Sequence, residues 1–329
     1  MAQDAARPAT GLIIGKFMPP HRGHQVLVDF ARQYVDRLTV LVCSLDSYPI
    51  SGALSFAWMR EAFPDVDVRH VTEDLPQEPS EHPDFWAIWR AVIRREMPGA
   101  TDYVFASEDY GWKLADVLGA RYIPVDHDRQ WVPISATQIR RDPLAHWDYL
   151  LPGVRSYYLR RVCVFGPEST GKSTLARDLA QYYRTVHVSE YARGLLDHKA
   201  GRCDPEDIPL IAKGQMAAED ALVRQANRVL FCDTDLLTTT IWSEVLFGYC
   251  LDWIREEAER RQYDLYLLTD IDVPWVDDAQ RYLPHRRQEF MDRCRQALDR
   301  RGRPYVLLSG NWARRLQRAC RAVDELLSG

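Results

Sequence analysis

The stretch GPESTGKS, residues 166–173, constrains the fold of this chain more than any other. It fits G-x-x-x-x-G-K-[ST] without a mismatch, and it lies between the apolar run RRVCVF and the helical pattern STLARDLAQYY. Such a loop works where a strand turns into a helix. Its glycines let backbone N–H groups curl around phosphate oxygens, and the helix N-terminus adds partial positive charge. Lys172 then reaches the β and γ phosphates, and Ser173 is placed to ligate Mg²⁺ beside ATP. Gly166, Glu168, Ser169, Thr170, Gly171 and Thr174 complete the expected nucleotide-binding set. A surface lysine on a glycine-rich turn is the plainer reading, and both flanks argue against it.

The strand-and-helix alternation around this loop runs through the chain twice. In the first half, LIIGKF, LTVLVCSL, VDVRHV, DYVFAS and RYIPV read as strands. HQVLVDFARQYV, SFAWMREAF, PDFWAIWRAVIRREM, GWKLADVLGA and ISATQIRRD read as helices between and after them. The Pro-Gly break in LLPGVRSYY marks a boundary. After it, RRVCVFG, TVHVSEY, VLFCDTD, LYLLTD and PYVLLSG read as strands, and PEDIPLIAKGQMAAEDALVRQA as one long helix, either continuous or broken. The class is α/β: two domains in series over 1–155 and 156–329, each a parallel sheet flanked by helices. Ligands of such sheets bind at the carboxyl ends of the strands.

In the second half, VLFCDTD offers Asp233 or Asp235 as the carboxylate for the metal, against the plainer reading of a strand-end turn. VSEYARGLL brings Glu190, Tyr191 and Arg193 to the same sheet edge. Glu190 could take the proton of a substrate hydroxyl, or simply pair with Arg193. Trp242 and Trp275 could stack on a flat ring or belong to the core. DDAQRYLPHRRQEF carries Arg281, Arg286 and Arg287, and it reads equally as a lid that closes cations over a phosphate or as a solvated helix.

The first half poses its own question in GKFMPPHRGH, where His21 and His24 follow two prolines at a strand end. Two imidazoles alone would lack a third metal ligand, but they could hydrogen-bond a polyphosphate at a helix N-terminus and stabilise a leaving pyrophosphate. Gly23 allows close approach to the backbone. PISATQIRRDP has capping-box spacing between Ser135 and Gln138, and Ser135, Thr137 and Arg140 there could equally hold an anion. Lys16 would be a third cation. Up to Val154 there are 15 basic and 21 acidic side chains, so a phosphate site in this half must gather its few cations in one place. The net charge of -5 gives no general nucleic-acid or membrane surface. Seven cysteines without metal or redox spacing read as free thiols of a reducing cytoplasm. No run spans a bilayer, and MAQDAARPAT has no secretory apolar core.

GKFMPPHRGH resembles the (H/T)xGH signature of the nucleotidyltransferase superfamily, and ISATQIR resembles its ISxTxxR partner. Their order ahead of VCVFGPESTGKSTL, with FWAIW, VFASEDYG, FCDTD and VPWVDD, is similar to the NadR-type bifunctional proteins. The resemblance implies a Rossmann-like nucleotidyltransferase domain followed by a P-loop kinase domain. It implies a ribosylnicotinamide kinase that makes nicotinamide mononucleotide (NMN) from nicotinamide riboside and ATP. It also implies an NMN adenylyltransferase that makes NAD and pyrophosphate. His21 and His24 would contact the ATP phosphates, and Lys16 and Arg140 would stabilise the triphosphate. Gly15, Phe17, Gly23, Ser135 and Thr137 would line the nucleotide site, with Glu108 and Tyr110 near the adenosine. Trp86 or Trp89 would stack on the nicotinamide ring.

The implied partners are riboside, NMN, ATP and NAD, with no nucleic acid. A functional link to a riboside transporter and homo-oligomerisation fit this picture. Three departures stand out. About ten residues precede the first strand, so the helix-turn-helix repressor domain that some family members carry, and DNA-binding control with it, are not expected here. Pro167 stiffens the phosphate loop. Ser55 stands where the family tends to have arginine, which removes an expected phosphate or substrate contact and leaves a first domain that only senses NAD or ATP as the alternative.

Overall fold

A computed structural model of the chain describes residues 7–278 and 280–329. The opening residues read above as lacking a secretory signal fall partly outside this range, as does residue 279 of the lid stretch. The chain divides into two compact units, Met1–Arg155 and Ser156–Gly329. The division falls inside a short helix, Pro152–Tyr158. The Pro-Gly pair therefore opens a helix instead of separating two, which proline tolerates because a first-turn N–H has no intrahelical acceptor.

In the first unit, strands β1 (Thr10–Gly15), β2 (Arg37–Cys43), β3 (Asp67–Val71), β4 (Tyr103–Ala106) and β5 (Arg121–Pro124) form a sheet in the order β3-β2-β1-β4-β5. Every pairing is parallel. The order reverses beside β1, so a crevice opens at its carboxyl end between the two directions of winding. Leu12 and Ile13 of β1 point to opposite faces and join different apolar clusters, which is why this strand reads as continuously hydrophobic.

The second unit repeats the scheme with β6 (Arg160–Phe165), β7 (His187–Val188), β8 (Val229–Asp233), β9 (Leu265–Thr269) and β10 (Tyr305–Leu308) in the order β10-β9-β6-β8-β7, again all parallel. The strand expected across TVHVSEY shrinks to two residues at the sheet edge, where only β8 supplies partners. The long helix of this unit, Asp207–Leu222, ends in a 3-10 turn at Val223–Gln225. Among the described residues, no helix is long and apolar enough to cross a membrane.

One candidate metal carboxylate is spent on the fold. Asp235 is the N-cap of the helix Leu236–Phe247 and is 2% exposed. Its Oδ1 accepts from the Thr238 backbone N–H at 2.9 Å and its hydroxyl at 3.1 Å, and its Oδ2 accepts from the Tyr266 hydroxyl at 2.9 Å. Both Asp235 oxygens are thus engaged in holding the helix start and the Tyr266 hydroxyl. Asp235→Ala should lower stability by roughly 2–4 kcal/mol, because it removes a cap and strands the buried Tyr266 hydroxyl. A urea melt of the variant checks this.

Candidate active sites

At the carboxyl end of β1 the two histidines do something that their spacing alone did not reveal. His21 is the N-cap of the helix Arg22–Tyr34. Its Nδ1 accepts from the Gly23 N–H at 3.1 Å, and the Nδ1 of His24 accepts from the His21 N–H at 3.2 Å. This is a capping box built from imidazoles. Their rings lie 3.9 Å apart at 32°. Burial, with the Arg129 charge nearby, lowers His21 to about 4. Burial, His21 and Arg129 hold His24 well below the usual imidazole range. Both rings are therefore neutral at pH 7, and with Nδ1 accepting, the ring proton sits on Nε2. Each ring is left with one N–H donor.

The second motif meets the first across 122 positions of sequence. Arg140 donates from Nη1 to the Met18 carbonyl at 2.5 Å and from Nη2 to the Thr137 hydroxyl at 3.2 Å. Ser135 caps the helix Ala136–Arg141 by the capping box its spacing announced. A cavity of about 900 Å³ takes in the first-unit residues expected at the nucleotide and nicotinamide sites: Gly15, Lys16, Phe17, His21, Gly23, His24, Trp86, Trp89, Glu108, Tyr110, Ser135, Thr137 and Arg140. Lys16 is exposed, with its ammonium 5.2 Å from the Tyr48 ring. Trp89 is tied into the core by a bond from its indole to the Pro76 carbonyl at 2.9 Å, while Trp86 keeps a half-buried ring. Ser55 is buried in the helix Gly52–Ala62 and does not line the cavity. Arg129 was missed. It lies beyond β5, paired with Glu108 at 3.3 Å, and its only signal was its place after a predicted strand.

In the second unit the phosphate loop follows β6 and opens the helix Lys172–Tyr182. Gly166 has φ +135°, and a Cβ there would come within 2.7 Å of the Thr269 hydroxyl. Gly171 has φ +83° and lies directly against the Trp312 ring. Lys172 rests on the Pro167 carbonyl at 2.8 Å. From below, the 2%-exposed Arg315 donates to the carbonyls of Thr170, Asp270 and Gly310 at 3.0, 3.0 and 2.8 Å, and it pairs with Asp272. The loop is thus held by its glycines, by Thr269 and by a buried guanidinium.

Asp233 ends β8, 2% exposed. It takes hydrogen bonds from the Ser173 hydroxyl and the Glu190 backbone, and its Oδ1 is buried without a partner among the described residues. An orphaned carboxylate oxygen beside the loop serine fits Mg²⁺, which keeps several waters and takes few protein ligands. Glu190 lies 3.5 Å from the Arg193 guanidinium, so the ion pair foreseen as its plain reading is present. Burial, then the Asp233 charge, still hold its carboxyl above the usual range.

A cavity of about 360 Å³ joins Glu168, Ser169, Thr170, Gly171, Lys172, Ser173, Thr174, Glu190, Arg193, Trp242 and Arg281. Gly166 and Asp233 do not line it. Tyr191 does not line it, because its ring packs on Gly214 and its N–H donates to Gln215 at 3.0 Å. Trp275 is also outside, with its indole bonded to Asp277 at 2.6 Å and its ring stacked by Arg281 and Arg287. The two readings of the arginine-rich stretch divide by residue. Arg286 pairs with Glu289 at 2.7 Å on the surface. Arg281 and Arg287 fold onto Ser169 instead, and each keeps a buried Nε–H with no acceptor among the described residues. Tyr282, 6.1 Å from Trp242, and the buried Gln215, Thr238 and Thr239 also line this cavity and were missed, for want of any local motif.

A family model for the AAA domain matches residues 161–315. The chain is 29% identical over 320 residues to the trifunctional NAD biosynthesis/regulator protein NadR of Escherichia coli (strain K12), covering 90% of this chain and 78% of that one. A crystal structure of a NadR protein in complex with NR superposes with a TM-score of 0.80 at 24% identity, over 98% of this chain and 96% of that chain. Another, in complex with NAD and AMP-PNP, gives 0.78 at 24% identity, over 98% and 97%. The chain is a homologue of the NadR proteins, and the likeness runs through both units instead of resting on one phosphate loop.

Proposed function

We propose that this chain is an enzyme of NAD biosynthesis with two ATP-dependent activities: phosphorylation of nicotinamide riboside to NMN in the second unit, and adenylyl transfer from ATP to NMN in the first. The observation that carries the reading is that two motifs, GKFMPPHRGH and ISATQIR, meet around one cavity through a hydrogen bond between Arg140 and Met18, 122 positions apart, in a chain that also holds a complete phosphate loop. The NadR relative is named for NAD biosynthesis, and NadR structures hold NR, NAD and AMP-PNP.

In the first unit, the NMN phosphate attacks the α-phosphorus of ATP directly, so catalysis is positioning and charge stabilisation. The Nε2–H donors of His21 and His24 bond the polyphosphate, and Lys16, Arg129 and Arg140 offset charge on the leaving pyrophosphate. In an otherwise acidic half these cations serve one place. Trp86, less constrained than Trp89, offers the face for the nicotinamide ring.

In the second unit the loop amides and Lys172 hold the β and γ phosphates. Ser173 and the free Oδ1 of Asp233 would hold Mg²⁺, which neutralises charge between the phosphates when bound. Glu190 takes the proton of the riboside hydroxyl as it attacks the γ-phosphorus. The unpaired Nε–H of Arg281, in the cavity wall, is a donor in want of an acceptor, and a transferring phosphoryl oxygen supplies one.

The two activities should separate by mutation. Lys172→Ala abolishes NMN formation from riboside and spares NAD formation from NMN, whereas His24→Ala does the reverse, with a loss of about 10²–10³-fold. Assays of each step with Mg-ATP read this directly, and equal loss of both in either variant overturns the two-site reading. If NMN yields no NAD at all while riboside yields NMN, the first unit is a sensor.

The pH profiles should differ as well. Glu190 must be deprotonated to act, and its folded pKa is raised, so kinase kcat falls with decreasing pH through a limb lying above the ordinary glutamate value of 4.5. Glu190→Gln lowers kcat about 10²–10⁴-fold and removes that limb. Because His21 and His24 are lowered, not raised, adenylyl transfer shows no histidine limb between about pH 6 and 8.

A further inference from the structure

Glu168 and Ser169 belong to the phosphate loop by sequence, yet their side chains face the segment that follows β9. The Glu168 carboxylate accepts from the backbone N–H of Tyr282 at 3.1 Å to each oxygen, and from that of Leu283 at 3.2 Å. The Ser169 hydroxyl accepts from the Val276 N–H at 2.8 Å and from Arg281 at 3.3 Å. The Ser169 carbonyl accepts from Arg287 at 3.4 Å. In a phosphate loop the backbone does the binding, so these side chains are free for other work.

The segment they hold carries cavity-lining groups. Arg281 and Tyr282 both face the cavity, and Tyr282 stands 6.1 Å from Trp242 at a ring angle of 70°. The segment 280–286 forms no helix or strand; away from the phosphate loop it is tied by the Tyr282 hydroxyl to the Gly201 carbonyl and by the Gln280 amide to the Arg193 carbonyl at 3.0 Å, while Glu168 is the group that takes its successive backbone N–H groups. Two successive backbone N–H groups converging on one carboxylate form a local anion nest, here filled from the phosphate loop.

We infer that Glu168 is a positioning residue: its carboxylate latches the 280–286 segment to the phosphate loop and thereby sets Tyr282 and Arg281 against the phosphoryl acceptor. This rests on the kinase reading of the second unit. It departs from the motif's assignment of Glu168 to nucleotide contact. A latch anchored on the loop makes the acceptor wall depend on the element that grips the donor.

The test is Glu168→Ala beside Glu168→Gln, with riboside and ATP varied separately and with hydrogen exchange over residues 280–286. Losing a carboxylate acceptor for two N–H groups raises KM for riboside roughly 10–100-fold in Glu168→Ala. KM for ATP stays within about threefold, because the loop backbone and Lys172 are untouched. Amide protection of 280–286 falls without ligand present. Glu168→Gln keeps one acceptor oxygen and recovers part of both effects. An equal rise in both KM values, or unchanged protection of 280–286, overturns the inference. The exchange measurement needs no turnover, so it stands even if riboside proves not to be the acceptor.

Discussion

The carboxyl ends of β1 and β6 are fixed points because each strand is hydrogen-bonded along both edges and packed on both faces. β1 runs between β2 and β4, and β6 between β9 and β8. Leu12, Val162, Cys163, Val164 and Phe165 are fully buried. A strand in that position cannot shift without breaking two ladders at once, so the loop that leaves it starts from a fixed place. Everything chemical in this molecule is built on those two exits. The first leads into a helix capped by histidines, the second into a helix opened by a glycine loop.

The two exits solve the same electrostatic problem differently. A polyphosphate needs donors that cost little to desolvate, and on the proposed reading both sites would offer neutral ones first. In the first unit they are imidazole N–H groups, kept uncharged by burial and by Arg129. In the second they are loop amides aimed by φ values that only glycine adopts easily at 166 and 171. Full charges stand second in each case. Arg140 and Lys172 both rest on backbone carbonyls of the loop they serve, at Met18 and Pro167. Such contacts keep a long cationic side chain folded over its own loop, so little rotamer freedom remains to be lost.

The chemistry was more legible in sequence than the walls around it. GPESTGKS is contiguous and its place between a strand and a helix could be read directly, whereas HRGH announced a strand end but not the histidine capping box. Ser135 as a cap was equally plain from its spacing to Gln138. The helix Leu236–Phe247 was not read, because its first turns are buried nearly all round and show little 3.6-residue contrast. Asp233 and Asp235 could not be separated from one another. They differ by two residues and by everything around them: one caps a helix under Tyr266, and the other keeps an oxygen free beside Ser173.

By itself the sequence determined two alternating α/β halves, the positions of the turns proposed to bind phosphate and the order in which they occur, because each follows from periodicity or from spacing within a dozen residues. Only tertiary structure decided which distant groups share a cavity. Arg129, Gln215 and Tyr282 carry no motif, and they reach their sites through pairings and packing across dozens of residues. Tertiary structure also decided that Glu168 serves the neighbouring segment. A side chain's partner is fixed by the backbone that folds against it, and no local pattern records which backbone that will be.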